Sequence, residues 1–404
     1  MKRFFLALFA GVSILSCTSE KEKPYLVIFS FDGFRADYPD SCITPYLDSL
    51  EKTGVRSEYL KPGFPSVTFP NHYAIATGLY PGNNGLVHNE FYDKKLDKVY
   101  AISDREAVED SVFYKGIPLW NLLRQDSIKT ATLFWVGSEA PVNGMRANYW
   151  FKYNSSLSFR SRMDTVMSLL NKPEEQRPHL IMAYFSEPDH TGHDAGPFAP
   201  ETDAVVEALD SLIGYFYHRL STLPLAKNVN VIILSDHGMA KVDTTNKIIL
   251  DNYIKESWIK RCKGGSTCYY IEPAESFEDS VYNCLKRANH LSVYRRENAP
   301  AEWHLNDTNR IDRFIVVAHN GYAMTMKNTQ KVSLGNHGYD NKEPDMQAIF
   351  YASGPVFKVN YRQKSFDNVC VYELVANIFS IVPPKNDGRL DDVEDMLKLS
   401  IEQY

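Results

Sequence analysis

Five short runs of apolar, β-favouring residues stand out along the chain, and three of them end in a carboxylate. Tyr25–Phe31 runs into Asp32-Gly33, His179–Phe185 into Glu187-Pro188-Asp189, and Val229–Leu234 into Ser235-Asp236-His237-Gly238. Thr130–Val136 and Met346–Tyr351 share the character without the acidic tail. Near-continuous apolar runs of this length fit strands buried on both faces. Between them the period lengthens to that of a helix. Val205, Val206, Leu209, Leu212, Ile213, Phe216, Tyr217 and Leu220 make one stripe over Glu201–Leu220. Val371–Phe379 is a second helix, stopped by Pro383-Pro384. Alternating strands and helices predict an α/β fold with a mostly parallel central sheet flanked by helices. Ligands in such sheets collect at the carboxyl ends of strands, where three Asp residues stand.

The rhythm breaks at about 240–335. A strand at Tyr269-Tyr270-Ile271, a helix carrying Phe277, Val281, Leu285 and Ala288, and a strand at Ile311–Ala318 read as an inserted cap. The main body is expected over 24–390, with this cap inserted in it, and 391–404 as a C-terminal helix.

Lys2-Arg3 followed by the apolar run Phe4–Leu15 reads as a signal peptide over 1–16, because so short a run cannot span a bilayer, which takes about 20 residues. Ile14–Cys17 resembles a bacterial lipobox, so Cys17 is the expected lipidation site and 17–23 a polar tether. The expected location is the bacterial cell envelope, at its periplasmic face or outer surface, with the membrane met through the lipid alone. The other five cysteines are too sparse for a disulfide framework. Whether Cys262 and Cys268 pair across Gly264-Gly265 stays open. A formal net charge of −6 argues against a polymeric nucleic-acid partner, which wants a basic face.

Five polar places carry candidate chemistry: Asp32, Thr68, Asp189 with His193, Asp236 with His237, and His337 within Gly335–Gly338. Imidazole nitrogen and carboxylate oxygen suit zinc, and the three Asp, three His and one hydroxyl suffice for two ions with a position left open for substrate. Pro70 fits the first turn of a helix and Gly78 its end, which places Thr68 at a helix N-terminus. Free N–H groups there favour a phosphate, and a hydroxyl touching a dication becomes a nucleophile. Asp189 and His193 are four apart, yet Pro188 and Gly192 argue against a regular helix between them.

These segments resemble the nucleotide pyrophosphatase/phosphodiesterase branch of the alkaline phosphatase superfamily. The matching pieces are Phe31–Arg35, Thr68–Tyr73, Glu187–His193, Ser235–Met239 and Asn336–Gly338. The resemblance implies an alkaline phosphatase-like core and two Zn2+. One zinc falls to Asp32, Thr68, Asp236 and His237, the other to Asp189, His193 and His337. It implies that Thr68 is the nucleophile, that Asn89 donates to a phosphate oxygen, and that Phe69 and Tyr184 clamp a nucleobase. The expected reaction is hydrolysis of nucleotide phosphodiester or pyrophosphate bonds to nucleoside 5'-monophosphates through a covalent threonyl intermediate. Two rivals are a related phosphomonoesterase and a choline-headgroup phosphodiesterase. A lipid-anchored, non-catalytic binding protein is a third reading. His72 and His190 are by default structural or exposed.

Overall fold

The structure, a computed structural model, describes residues 23–305 and 307–398. The expected leader, Cys17 and most of the tether lie outside the described residues, as does the end of the expected C-terminal helix. Among the described residues no helix is long and apolar enough to cross a membrane.

The strands are β1 (Tyr25–Phe31), β2 (Val55–Ser57), β3 (Thr130–Leu133), β4 (Tyr149–Phe151), β5 (Leu180–Phe185), β6 (Val229–Leu234), β7 (Ile259–Gly265), β8 (Cys268–Pro273), β9 (Leu291–Arg295), β10 (Phe314–Ala318), β11 (Phe350–Ser353) and β12 (Tyr361–Gln363). Eight form the central sheet in the order β12-β2-β11-β6-β1-β5-β3-β4. Only β11 runs against the rest: it pairs antiparallel with both β6 and β2, while the other pairs are parallel.

The principal helices are α1 (Pro45–Thr53), α2 (Thr68–Thr77), α3 (Leu119–Gln125), α4 (Phe159–Leu170), α5 (Asp189–Ala195), α6 (Pro200–Ser221), α7 (Glu278–Leu285) and α8 (Cys370–Ile378). Alternation along β1 explains the layers. Leu26 and Ile28 join a core with α2, α3 and α8, whereas Val27, Phe29 and Phe31 join one with α1, α4 and α6. The predicted stripe of α6 supplies Val206, Leu209, Ile213, Phe216 and Leu220 to that second core. Each such burial contributes about 1.5–3 kcal/mol.

The region expected as a cap builds its own antiparallel sheet, β7-β8-β10-β9. One face packs Ile271, Phe314 and Val316 against Val281 and Leu285 of α7. The other sends Cys268, Tyr270, Ile315 and Val317 into the body's core, so the two parts share buried surface. Cys262 stands opposite Ile271 and Cys268 opposite Gly265, and both are free thiols.

Some expectations shift. The run at Met346–Tyr351 becomes a strand only from Phe350, because Pro344–Met346 is a 3-10 turn. The described part of 391–404 holds short 3-10 turns ending at Asp392 and at Met396 rather than an α-helix. Asp189–Ala195 is helical after all. Pro188 sits at the N-cap, where a missing N–H costs nothing, and Gly192 is buried.

Candidate active site

Asp32 follows β1 directly, Asp236 stands just past β6 and Asp189 opens α5 after β5; the three strands are adjacent and parallel, so the carboxylates converge at one end of the sheet. The backbone ties them together. Asp32 N–H donates to Phe185 O at 2.9 Å, and Asp189 N–H to Asp32 O at 2.9 Å. Gly33 makes this approach possible: its φ is +68°, and a Cβ there would stand 2.8 Å from Asp189 Cβ. Thr68 opens α2 and Gly78 ends it at φ +68°, as the Pro and Gly placement predicts. Thr68 Oγ1 lies 3.2 Å from His237 Nε2.

The donor atoms fall into two adjoining cradles. In the first, His237 Nε2 stands 3.4 Å from Asp32 Oδ1 and 3.1 Å from Asp236 Oδ2. In the second, Asp189 Oδ1, His193 Nε2 and His337 Nε2 are separated by 3.5, 3.4 and 3.1 Å. A tetrahedral ion with bonds of about 2.0–2.1 Å holds its donors about 3.3 Å apart. The rings of His237 and His337 stack at 3.7 Å, forming the wall between the cradles.

Two observations show that these residues fit cations. First, Asp32 Oδ1, Asp189 Oδ1 and Asp236 Oδ2 are buried without a hydrogen-bond partner. The second oxygens of Asp32 and Asp236 are held in place: Tyr184 OH donates to Asp32 Oδ2 at 2.6 Å, and Gly33 N–H to Asp236 Oδ1 at 3.2 Å. Orphaned buried carboxylate oxygens need a positive partner. Second, each histidine spends Nδ1 on a carbonyl: His193 on Gly335 O at 2.8 Å, His337 on Ser66 O at 3.0 Å, His237 on Gly238 O at 2.8 Å. A carbonyl only accepts, so Nδ1 carries the proton and Nε2 presents a lone pair. Two such lone pairs face each other at 3.1 Å across the second cradle. A cation between them removes that conflict.

Electrostatics agree. Burial, with the charges of Asp236 and Asp189, raises the Asp32 carboxyl well above the usual carboxylate range. Burial pushes Asp236 up too, yet His237 and His72 hold it well below. Burial, with His237 and His193 beside it, holds His337 well below the usual histidine value, in its ligating neutral form.

All seven expected ligands therefore converge. Asn89 arrives as well: its Oδ1 accepts the Phe69 N–H at 3.0 Å, which leaves its Nδ2 group as the free donor. Phe69 and Tyr184 line one cavity of about 260 Å3 beside Thr68, Asp32 and Asp189. Sequence reasoning missed three further aromatic walls, Phe134, Trp135 and Tyr153. The first two follow β3, so the strand-end rule that found Asp32 would have found them. It also missed His72, fully buried on α2, whose Nδ1 donates to Thr68 O at 2.9 Å and stands 3.2 Å from Asp236 Oδ2. The four-residue step from Thr68 along a helix was the available signal.

An α/β sheet bearing two adjoining Asp/His cradles and a helix-borne hydroxyl at its strand ends is the frame of a hydrolase with two candidate metal sites. The chain belongs to the type I phosphodiesterase / nucleotide pyrophosphatase family, whose model matches residues 26–340. It is 35% identical to bis(5'-adenosyl)-triphosphatase ENPP4 of Mus musculus, over 98% of this chain and 87% of that protein. It is 30% identical to ectonucleotide pyrophosphatase/phosphodiesterase family member 1 of Mus musculus, over 95% of this chain but 44% of that protein, and so spans less than half of that relative. Among solved structures, murine ectonucleotide pyrophosphatase/phosphodiesterase 5, in an inactive threonine-to-alanine form in complex with AMP, superposes with a TM-score of 0.89. The two are 31% identical, over 93% of this chain and 100% of that one.

Proposed function

We propose that this protein hydrolyses nucleotide phosphodiester or pyrophosphate bonds, releasing nucleoside 5'-monophosphates, with Thr68 as the covalent nucleophile and two zinc ions as the resident metals. The observation that carries the reading is the conjunction of two cradles of orphaned donors, Thr68 at the edge of one, and an aromatic cavity at the same place. Relatives named bis(5'-adenosyl)-triphosphatase support dinucleoside polyphosphates as the first natural substrates to screen.

Bound cations would supply Lewis acidity, lowering the pKa of a hydroxyl or a water and neutralising phosphate charge. The rest falls to the chain. Phe69 and its neighbours hold the flat nucleoside, and stacking on such rings contributes about 1–3 kcal/mol per base. Asn89 Nδ2 donates to a non-bridging phosphate oxygen. Thr68 Oγ1 gives up its proton to solvent and attacks phosphorus in line; the opposite P–O bond breaks, its oxygen leaving with the rest of the substrate, and a threonyl phosphoester of the nucleoside forms. Water then attacks phosphorus and returns the Thr68 hydroxyl with release of the monophosphate.

A monoesterase needs free cations to hold a dianionic phosphate. Arg105 is the cation lining the cavity among the described residues, and it is paired with Glu139. The same pairing neutralises the acid that a choline cage would use. The test compares the p-nitrophenyl ester of thymidine 5'-monophosphate with p-nitrophenyl phosphate and p-nitrophenylphosphorylcholine, for wild type and Thr68→Ala. The expected result is preference for the nucleoside diester, and loss of turnover by about 10⁴-fold or more in Thr68→Ala with zinc retained. Near-wild-type turnover in that variant would end the nucleophile assignment. A preference for either other ester would move the substrate class.

A further inference from the structure

Behind the cavity wall lies a cation that the chemistry above leaves unused. Arg162, on α4, is fully buried. Its hydrogen-bond partners are two backbone carbonyls: Nε donates to Leu157 O at 3.1 Å and Nη1 to Tyr184 O at 2.9 Å. No carboxylate pairs with it among the described residues. An arginine stays charged even there, so a buried guanidinium without a counter-charge is costly unless other groups hold it. Those groups are aromatic. The guanidinium carbon lies 4.9 Å from the ring centres of both Phe134 and Phe159, and 5.9 Å from that of Tyr153.

Phe134 and Tyr153 are walls of the nucleotide cavity, and Tyr184 is both a wall and the hydrogen-bond donor to Asp32. Phe134 also stands at φ +66°, a left-handed backbone that bulky residues rarely adopt and that persists only where the surroundings hold it. The guanidinium under its ring is such a hold. One buried cation therefore touches two walls of the cavity and the backbone at the end of the strand that leads to Asp189.

We propose that Arg162 is a positioning residue for nucleoside binding: clamped between the Tyr184 carbonyl and the faces of Phe134 and Tyr153, it sets the aromatic wall at the distance a base requires, and acts on substrate affinity rather than on bond cleavage. This rests on the reading of the cavity as the nucleoside seat. It departs from that reading in assigning the wall's geometry to a residue that never meets the substrate.

The test uses two substrates with the same leaving group, the p-nitrophenyl ester of thymidine 5'-monophosphate and methyl p-nitrophenyl phosphate, which lacks the nucleoside. With the zinc-loaded full chain, Arg162→Lys should raise KM for the nucleoside ester about tenfold with kcat within about twofold, and Arg162→Met should raise it further. Both constants for the methyl ester should stay within about twofold. AMP affinity, read by intrinsic fluorescence, should fall in parallel with KM. Phe159→Leu, at a ring that packs under Arg162 and edge-on against Phe185 but does not line the cavity, should raise the same KM by about two- to threefold. Thermal melts and zinc content identify a variant that fails to fold, and Phe159→Leu then decides alone. Equal losses on both substrates, or unchanged KM in folded variants, would overturn the assignment. A wild-type enzyme that treats the two esters alike would instead overturn the nucleoside reading, and Arg162's role with it.

Discussion

The two cradles use similar donors, but one is sealed and the other is open. In the first, the Asp32, Asp236 and His237 side chains are at most 3% exposed. In the second, His193 is 27% and Asp189 17% exposed. The sealed cradle is braced on every side: Tyr184 holds Asp32, Gly33 N–H holds Asp236, and His72 stands between Thr68 O and Asp236. The open one is braced by the carbonyls of Gly335 and Ser66. Under the proposed function, the contrast suits a division of labour in which a fixed cradle beside Thr68 would position its hydroxyl and an accessible one would admit water and let a leaving group out.

The largest break in this contrast should come from Asp236→Ala. It leaves the Gly33 N–H without its acceptor in a fully buried place, which typically costs about 1–3 kcal/mol. Urea unfolding of the chelated protein should show that loss of stability, and metal analysis the loss of one zinc. The matching change on the open side, His193→Ala, should lower zinc from two per chain to one while moving stability by less than about 1 kcal/mol, as expected for a partly exposed side chain. Equal destabilisation by the two variants would erase the distinction between the cradles.

The sequence makes this contrast half legible. Asp32, Asp189 and Asp236 announce themselves because each ends an apolar run, and the α6 stripe and the turn residues around Thr68 are written in strict periodicity. Burial is not written there. Nothing near Tyr184 says that its hydroxyl reaches Asp32, a residue 152 positions earlier. His72 looked structural because its partner Asp236 is brought in only by the pairing of β1 with β6. The edges were hidden for another reason: β2 and β12 are three residues each, too short for a period to show. The helix at Asp189–Ala195 was obscured because Pro188 reads as a breaker unless its N-cap position is known.

Acidity should sharpen the comparison. Asp32 has its folded pKa raised, chiefly by burial, so in the metal-free protein it binds a proton that the unfolded chain has released. Its contribution to stability therefore falls as pH rises from about 3.9 through its folded value. His337 has its folded pKa lowered, so its contribution is present above about 6.5 and is lost as pH falls from there through its folded value. A bound cation takes the place of the Asp32 proton, whereas His337 has none to give up. Zinc should accordingly raise Tm more at pH 8 than at pH 5, with the proton released on uptake coming from the sealed cradle. Melting scans with and without chelator check the first point, and calorimetric titration in two buffers of different ionisation enthalpy the second. An Asp32→Asn variant that releases as many protons as wild type would place the source elsewhere.

The smallest expected effect separates two roles of one residue. Tyr184 lines the aromatic cavity and also donates to Asp32 Oδ2 at 2.6 Å. Tyr184→Phe keeps the ring and removes only the donor. If the hydroxyl's role is to brace the sealed cradle, zinc affinity should fall about 10- to 100-fold, the usual cost of losing a group that orients a ligand, while KM for the nucleoside ester at saturating zinc stays within about twofold. Tyr184→Leu then removes the ring as well and should raise KM. If Tyr184→Phe leaves zinc affinity untouched and only Tyr184→Leu has an effect, the tyrosine is a wall of the cavity and no more. The bracing of Asp32 would then fall to the backbone of β1 and Gly33, and the sealed cradle would owe its rigidity to the sheet rather than to its neighbours' side chains.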